Sequence, residues 1–207
     1  MTTQKLKLGI LASGSGTNLQ SIIDACEAGT IDAQVCVVVS DNENAKALER
    51  ARNHKIPAFS FARKSFGSKK EFEGAMLKCL KEHGTELVCL AGYMRIVGAT
   101  LLEPYAGHMI NIHPALLPAF PGLEGQSQAW EYGVKVSGCT VHFVDDKMDN
   151  GPIIGQIAVD VREGDTAETL QKRILEQEHK LYPHCIQLIA EGKVKIEGRK
   201  VTIKGET

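Results

Sequence analysis

The chain has 207 residues, of which 43% are hydrophobic and 24% charged, an ordinary composition for a globular protein with one buried core. Its formal net charge of −1 provides no field that would attract nucleic acid or an anionic membrane surface. No segment approaches the ~20 apolar residues of a membrane-spanning helix, and the apolar run near the N-terminus is too short for a secretory signal. We therefore expect a cytoplasmic protein without a nucleic-acid or membrane partner.

The first half of the chain alternates between predicted strands and predicted helices. Near-continuous runs of Val, Leu, Ile and Cys indicate strands, and segments with one apolar stripe indicate helices. The predicted strands are 5–12, 33–40, 57–61 and 86–93, and the predicted helices are 18–29, 44–54 and 69–84. Strands that are apolar on both faces are typical of parallel sheets with crossover helices. We predict an α/β fold with an open, mostly parallel twisted sheet and helices on both faces.

The second half is predicted to continue the sheet with fewer helices. Its strands are 108–114, 138–146 and 152–161, its helices are 125–133 and 166–193, and a hairpin turns around Glu197 and Gly198. The long helix is predicted to begin after Thr166, with Glu168 in a capping box and Pro183 as a kink. No repeat or linker is visible, so we expect a single domain over 1–207, with halves 1–100 and 101–207.

Six cysteines are scattered through these elements, and none belongs to a C-x-x-C pair. Most of them lie in apolar runs, which favours buried thiols in a reducing compartment over disulfides. No two candidate ligands have metal-site spacing, so we predict no metal. The cysteines are Cys26, Cys36, Cys79, Cys89, Cys139 and Cys185.

The glycine-rich stretch ASGSGTNLQS, 12–21, joins the first predicted strand to the first predicted helix. Its glycines permit a tight turn, and the N–H groups at a helix start suit an anion. Leu19 occupies the third glycine position of a dinucleotide fingerprint, and no Lys follows the last glycine as in a P-loop. A small phosphate monoester fits better. The alternative is a plain turn with Thr17 or Asn18 as N-cap.

The segment NIHPALLP, 111–118, is the strongest functional signal. Asn111 and His113 lie two apart at the end of a strand, so they face the same side, where ligands of open parallel sheets collect. An amide can donate to a developing oxyanion, and a histidine can move a proton near neutral pH. Pro114 and Pro118 stiffen the following loop. A hydrogen-bonded buried histidine at a strand end is the alternative.

Three carboxylates follow in VHFVDDKMDNGP, 141–152, and one of them could orient His113 and favour its charged form. Asp149 precedes a turn at 150–152, whereas Asp145 and Asp146 could equally be ordinary loop acids. His142 on the preceding strand is more typical of a structural histidine, although it could brace the site. The segment LAGYMRIVG at 90–98 could bind a ligand or be ordinary packing. The segment LEQEHKLYP at 175–183 could bind a ligand or be a solvated helix face.

Taken in order, five segments resemble the phosphoribosylglycinamide formyltransferase family, folate-dependent enzymes of purine synthesis with a Rossmann-like fold. They are SGSGTN, LAGYMRIV, NIHPALLPAFPG, TVHFVDDKMDNGPII and EQEHKLYP. The resemblance implies transfer of formyl from 10-formyltetrahydrofolate, a co-substrate, to the amine of 5′-phosphoribosylglycinamide, without a metal. It implies a monomer or a homodimer.

The resemblance also implies roles for particular residues. The implied catalytic residues are Asn111, His113 and Asp149. The implied ribonucleotide-binding residues are Gly16, Thr17, Asn18, Pro114, Leu175, Glu176, Gln177 and Glu178. The implied folate-binding residues are Lys69, Met94, Arg95, Ile96, Val97, Asn111, Asp145, Asp146, Lys147, Met148 and Asp149. Leu175 departs from the polar or basic residue common there, and LEGQ at 123–126 replaces a segment often richer in histidine.

Two other functions share parts of this pattern. A formyltetrahydrofolate deformylase or a methionyl-tRNA formyltransferase resembles the central block but carries an additional domain. A non-catalytic nucleotide- or folate-binding module would use the same polar residues for binding alone. Release of folate from its formyl derivative, with and without the ribonucleotide, distinguishes these hypotheses.

Overall fold

Seven strands form the main sheet of the protein, which a computed structural model describes for residues 5–205. The strands lie in the order β3-β2-β1-β4-β5-β6-β7. Their bounds are β1 Leu6–Leu11, β2 Ala33–Ser40, β3 Ala58–Ser60, β4 Leu87–Leu90, β5 Met109–His113, β6 Val136–Phe143 and β7 Ile153–Asp160. β1 pairs in parallel with β2 and β4, β2 with β3 also in parallel, and β6 with β7 antiparallel. The predicted open, mostly parallel sheet is confirmed.

Six α-helices, two short 3₁₀ helices and a separate hairpin complete the described elements. The helices are α1 Thr17–Glu27, α2 Lys46–Asn53, α3 Lys69–Glu82, α4 Ala99–Leu102, α5 Gly125–Tyr132 and α6 Ala167–Ala190. The hairpin consists of β8 Val194–Glu197 and β9 Lys200–Ile203. Two short 3₁₀ helices, Arg63–Ser65 and Glu103–Tyr105, and the one-turn α4 were not predicted, because such short turns leave little periodicity in the sequence.

The chain divides into two compact units, and the boundary falls inside β5 between Ile110 and Asn111. In the first unit, the last four residues of β1 and the last four of β2 are buried, which explains the near-continuous apolar runs that predicted these strands. In the second unit, α6 packs against β6 and β7, and its Leu170, Tyr182 and Ile186 are fully buried. The predicted halves divided near residue 100, and the single-domain hypothesis stays a prediction.

Two predicted details of the second unit were wrong. The strand predicted over 138–146 ends at Phe143, because the Phe143 N–H donates to the Pro152 carbonyl at 2.8 Å and the chain between them leaves the sheet as a loop. Thr166 is the N-cap of α6, but its capping-box partner is Thr169 at the third helical position, and Glu168 is one residue too early. α6 continues through Pro183 to Ala190.

Three kinds of feature are absent from residues 5–205. No helix in this range is long and apolar enough to cross a membrane. The same residues contain no cluster of three His, Cys, Asp or Glu side chains that could hold a metal ion. All six cysteines lie within the range and none forms a disulfide, although Cys26 and Cys36 are half-buried rather than in the core.

Candidate active site

Strand β5 presents the two polar residues that the sequence singled out. Met109, Ile110 and Ile112 are buried in the sheet, while Asn111 is half-buried and His113 is only 3% exposed. The burial of β5 on both faces therefore includes one amide and one imidazole at its end. Because burying such groups is costly unless they are hydrogen-bonded, their partners define the chemistry of this region.

Asp149 is the partner that Asn111 and His113 share. Its Oδ2 lies 3.5 Å from His113 Nδ1, and its Oδ1 lies 3.5 Å from Asn111 Nδ2. The Gly122 N–H donates to Oδ2 at 2.7 Å and holds the carboxylate in place. Asp149 has a φ of 48°, a left-handed conformation that Asp tolerates better than most residues. The structure thus brings the three expected catalytic side chains together within the second unit.

His142 is a fourth member of this cluster. Its Nε2 lies 3.2 Å from Asn111 Nδ2 and 3.7 Å from Asp149 Oδ1. Its Nδ1 lies 2.8 Å from the Phe143 carbonyl, which can only accept, so Nδ1 carries the hydrogen and Nε2 is the acceptor. Burial lowers the pKa of His142 from its usual 6.5, which keeps the ring neutral. A neutral His142 therefore fixes the amide of Asn111 with its nitrogen toward the cluster.

The hydrogen of His113 can be located by the same reasoning. His113 Nε2 lies 2.8 Å from the Phe120 carbonyl, so this nitrogen carries a hydrogen. Gly125 packs so closely behind the ring that a Cβ there would meet Nε2 at 2.9 Å. Nδ1, which faces Asp149, is the nitrogen that remains to exchange a proton with a reacting group.

The rest of the loop after β6 is organised by Asp145. Its Oδ1 accepts from the Lys147 N–H at 3.0 Å, and its Oδ2 accepts from Asn150 Nδ2 at 2.9 Å. Asp146, Lys147 and Met148 are exposed. Asp145 thus shapes the loop through its own hydrogen bonds, whereas the other three side chains are open to a ligand.

On helix α6, the four expected ribonucleotide residues differ in exposure. Glu178 is 5% exposed, Leu175 and Gln177 are half-buried, and Glu176 is exposed. The interpretation of Glu178 as part of a solvated helix face was therefore wrong, because α6 turns this carboxylate toward the second unit's interior. Pro114, directly after β5, is half-buried.

In the first unit, the glycine-rich loop turns directly into α1. Gly16 is the N-cap with a φ of 69°, and no side chain caps the helix, so neither Thr17 nor Asn18 is the N-cap. A Cβ at Gly16 would lie 2.7 Å from the Ala47 Cα, so only glycine fits. The first turn of α1 contains no acidic residue that would oppose an anion. This geometry suits a phosphate group.

A second helix holds this loop in place. The Ala47 N–H of α2 donates to the Gly14 carbonyl at 3.1 Å, and Arg50 Nε donates to the Ser15 carbonyl at 2.9 Å. Arg50 was not predicted to contribute, since its position in an ordinary amphipathic helix gives no functional signal. Its guanidinium adds a positive charge beside the loop.

The segment after β4, also in the first unit, carries the expected folate residues Met94, Arg95, Ile96 and Val97. Met94 and Ile96 are 61% and 64% exposed, unusually open for large apolar side chains. Arg95 Nε donates to Asp41 Oδ2 at 2.6 Å, and the Met94 N–H donates to Ser13 Oγ at 3.0 Å. Asp41 and Ser13 therefore fix the segment while its apolar side chains stay exposed, as a flat heterocycle requires.

Lys69, the remaining expected folate residue, lies at the start of α3. Its Nζ is 3.7 Å from Glu73 Oε1, and Glu73 is 3% exposed. The same Glu73 oxygen accepts from the Gly98 N–H at 2.7 Å, which ties α3 to the end of the Met94–Val97 segment. Nothing in the sequence singles out Glu73, because glutamate is common on helix surfaces and its burial depends on the fold.

The comparisons with known proteins identify the family of the chain. Residues 6–186 match the formyl transferase family, so the chain belongs to that family. It is 48% identical over 181 residues to the phosphoribosylglycinamide formyltransferase of Bacillus subtilis strain 168, covering 87% of this chain and 93% of the relative.

Two further relatives extend the comparison. The crystal structure of glycinamide ribonucleotide transformylase 1 from Symbiobacterium toebii is 52% identical, covers 97% of this chain and 94% of its own, and superposes with a TM-score of 0.95. The trifunctional purine biosynthetic protein adenosine-3 of Gallus gallus is 42% identical over 194 residues, which is 94% of this chain but 19% of that protein.

Proposed function

We propose that this protein transfers the formyl group of 10-formyltetrahydrofolate to the amine of 5′-phosphoribosylglycinamide, a step of purine synthesis. The observation that carries the proposal is the convergence of Asn111, His113 and Asp149 in a member of the formyl transferase family. Formyl folate is a co-substrate that is consumed, and the reaction requires no metal.

The reaction begins when the amine attacks the formyl carbon and the carbonyl oxygen becomes an anion. Asn111 Nδ2 has two hydrogens, one bound to His142 and one in a long, weak bond of 3.5 Å to Asp149. The second hydrogen is the one available to the oxyanion. Because His142 fixes the amide before substrate arrives, no reorganisation is needed when the charge develops.

A proton must then move from the attacking amine to N10 of the folate as the carbon–N10 bond breaks. His113 Nδ1 lies 3.5 Å from the Asp149 carboxylate, so the ring and the carboxylate can act on the same reacting group. The same carboxylate can accept the amine proton and return it to N10 through a water molecule. Protons balance, because the amine loses one as N10 gains one.

The expected binding residues are assigned separately within each unit. In the first unit, Gly16, Thr17 and Asn18 take the phosphate of the ribonucleotide, and the Met94–Val97 segment with Lys69 takes the folate. In the second unit, Pro114 and the α6 residues take the rest of the ribonucleotide, with Glu178 as the hydrogen-bonding carboxylate. The loop 145–149 takes the folate there.

The direct test follows the absorbance of a 10-formyl folate analogue mixed with the enzyme, with and without the ribonucleotide. Folate release that requires the ribonucleotide supports formyl transfer. Folate release without the ribonucleotide supports a deformylase, and no release supports a binding module. Either of these two outcomes contradicts the proposal.

The same assay on Asp149→Asn tests the role of the carboxylate. The variant keeps the size of the side chain but loses its charge, so turnover should fall by about 10²-fold or more. The matched control is Asp160→Asn, which removes an exposed carboxylate at the end of β7, outside the assigned binding residues, and should retain most of the turnover.

A further inference from the structure

The C-terminal hairpin contacts the loop that carries Asp149. The hairpin spans Val194–Ile203 and therefore lies beyond the family match, which ends at residue 186. Its two strands are joined by Gly198, with a φ of 62°, and Arg199. β9 packs beside β7 in the second unit. A segment beyond the residues of the family match thus lies next to an expected catalytic loop.

The contact is made by the guanidinium of Arg199 at the tip of the hairpin. Nη2 donates to the Asn150 carbonyl at 2.7 Å, and Nη1 lies 3.3 Å from Asn150 Oδ1. One planar fork thus binds the main chain and the side chain of the same residue. A charged guanidinium forms shorter and stronger hydrogen bonds than a neutral donor, and its planar geometry also fixes the orientation of the residue that it binds.

Asn150 connects Arg199 to two other residues of the loop, Asp145 and Asp149. Its Nδ2 donates to Asp145 Oδ2 at 2.9 Å, and Asp145 in turn accepts from the Lys147 N–H. On the other side, Asn150 is bonded directly to Asp149, whose φ of 48° is a strained conformation. Such a conformation persists only where the surrounding structure holds it.

Two acids near the hairpin are paired with lysines and not with Arg199. Glu197, the acid nearest in sequence, is 2.6 Å from Lys195 Nζ, and Lys193 pairs with Glu191 at 2.7 Å. Arg199 therefore directs its charge at the Asp145–Asn150 loop, which contains three carboxylates and one lysine. A guanidinium suits a loop with this excess of negative charge.

We propose that Arg199 is a positioning residue for Asp149. By holding Asn150, it keeps the loop in the conformation that points the Asp149 carboxylate at His113 and Asn111. This inference rests on the proposed function, because it assigns Arg199 an effect on formyl transfer through Asp149. Arg199 itself touches no reacting atom.

The test compares Arg199→Ala and Arg199→Lys with Lys200→Ala. Lys200→Ala is the matched control, because it removes an exposed positive charge from the adjacent position without touching the loop. Arg199→Ala should lower kcat and raise the KM for formyl folate by about three- to tenfold each, less than the ~100-fold cost of a 1 Å displacement of a reacting group. The KM for the ribonucleotide should not change. Arg199→Lys, which keeps the charge but lacks the fork, should recover part of kcat.

Hydrogen–deuterium exchange of the Asp145–Asn150 loop provides a readout that needs no activity. Exchange should accelerate in Arg199→Ala and not in Lys200→Ala, while exchange in β5 stays slow in both. If exchange accelerates in Arg199→Ala but the wild-type protein has no transferase activity, the contact of Arg199 with the loop is supported and the proposed function is contradicted. Wild-type exchange and kinetics in Arg199→Ala, with wild-type protein active, would overturn the positioning role.

Discussion

At the scale of single residues, the orientation of the Asn111 amide depends on the hydrogen of His142. The Phe143 carbonyl forces that hydrogen onto Nδ1, so Nε2 must accept from Asn111. Asn111→Ala should therefore remove an oriented donor and lower kcat by about 10²–10³-fold, the usual cost of one oxyanion donor. Steady-state kinetics and the unfolding midpoint should show a large loss of turnover with a small loss of stability. Asn53→Ala, which changes an exposed asparagine, is the control; equal turnover in both variants would exclude the role.

The buried neutral His142 also predicts how stability depends on pH. Burial lowers its pKa below 6.5, so the unfolded chain binds a proton near that pH while the folded protein does not. The contribution of this residue is complete above pH 6.5 and decreases as pH falls toward the folded pKa, by at most about 1.4 kcal/mol per pH unit. His142→Gln, which does not titrate, should flatten the dependence in denaturant unfolding between pH 7.5 and 5.5. An unchanged slope would mean that His142 is protonated in the folded protein.

At the scale of elements, α1 offers a matched pair of glycines. Gly16 and Gly29 flank the helix and both have a φ of 69°, but a Cβ at Gly16 would lie 2.7 Å from the Ala47 Cα while Gly29 has open space. Each change to alanine should cost about 1–2 kcal/mol for the left-handed backbone. Gly16→Ala should cost about 1–3 kcal/mol more for overpacking, and it should raise the KM for the ribonucleotide. Equal unfolding free energies and KM values in the two variants would show that the loop adapts.

The elements themselves were largely predictable, because burial and periodicity act locally. The continuous apolar runs of β1, β2 and β4 follow from burial of parallel strands on both faces, and the structure places these strands within three residues of the predicted ends. The errors occurred where a competing local bond decided the outcome. Thr169 replaced Glu168 in the capping box, and β6 ends early because the loop leaves the sheet after the Phe143–Pro152 hydrogen bond.

At the scale of the whole molecule, the site was predictable only where its residues are close in sequence. Asn111 and His113 share one strand, so their common direction follows from the strand repeat. Asp149 and His142 come from 38 and 31 positions beyond Asn111, and only the folded chain shows that they meet it. The family resemblance implied the catalytic role of Asp149. The neutral state of His142 depends on its burial and on the Phe143 carbonyl, and sequence spacing reveals neither.

The six thiols give a prediction for the molecule as a whole. None forms a disulfide, and burial raises the pKa of Cys26 and Cys79 to about 11 and that of Cys139 to about 12. Because only the thiolate is nucleophilic, the native protein at pH 8 should react slowly with a thiol reagent such as Ellman's. After denaturation without reductant, all six thiols should react within the mixing time, and a reducing agent should not change the unfolding midpoint. Fewer than six reactive thiols, or a midpoint that falls on reduction, would show that disulfides contribute to the fold.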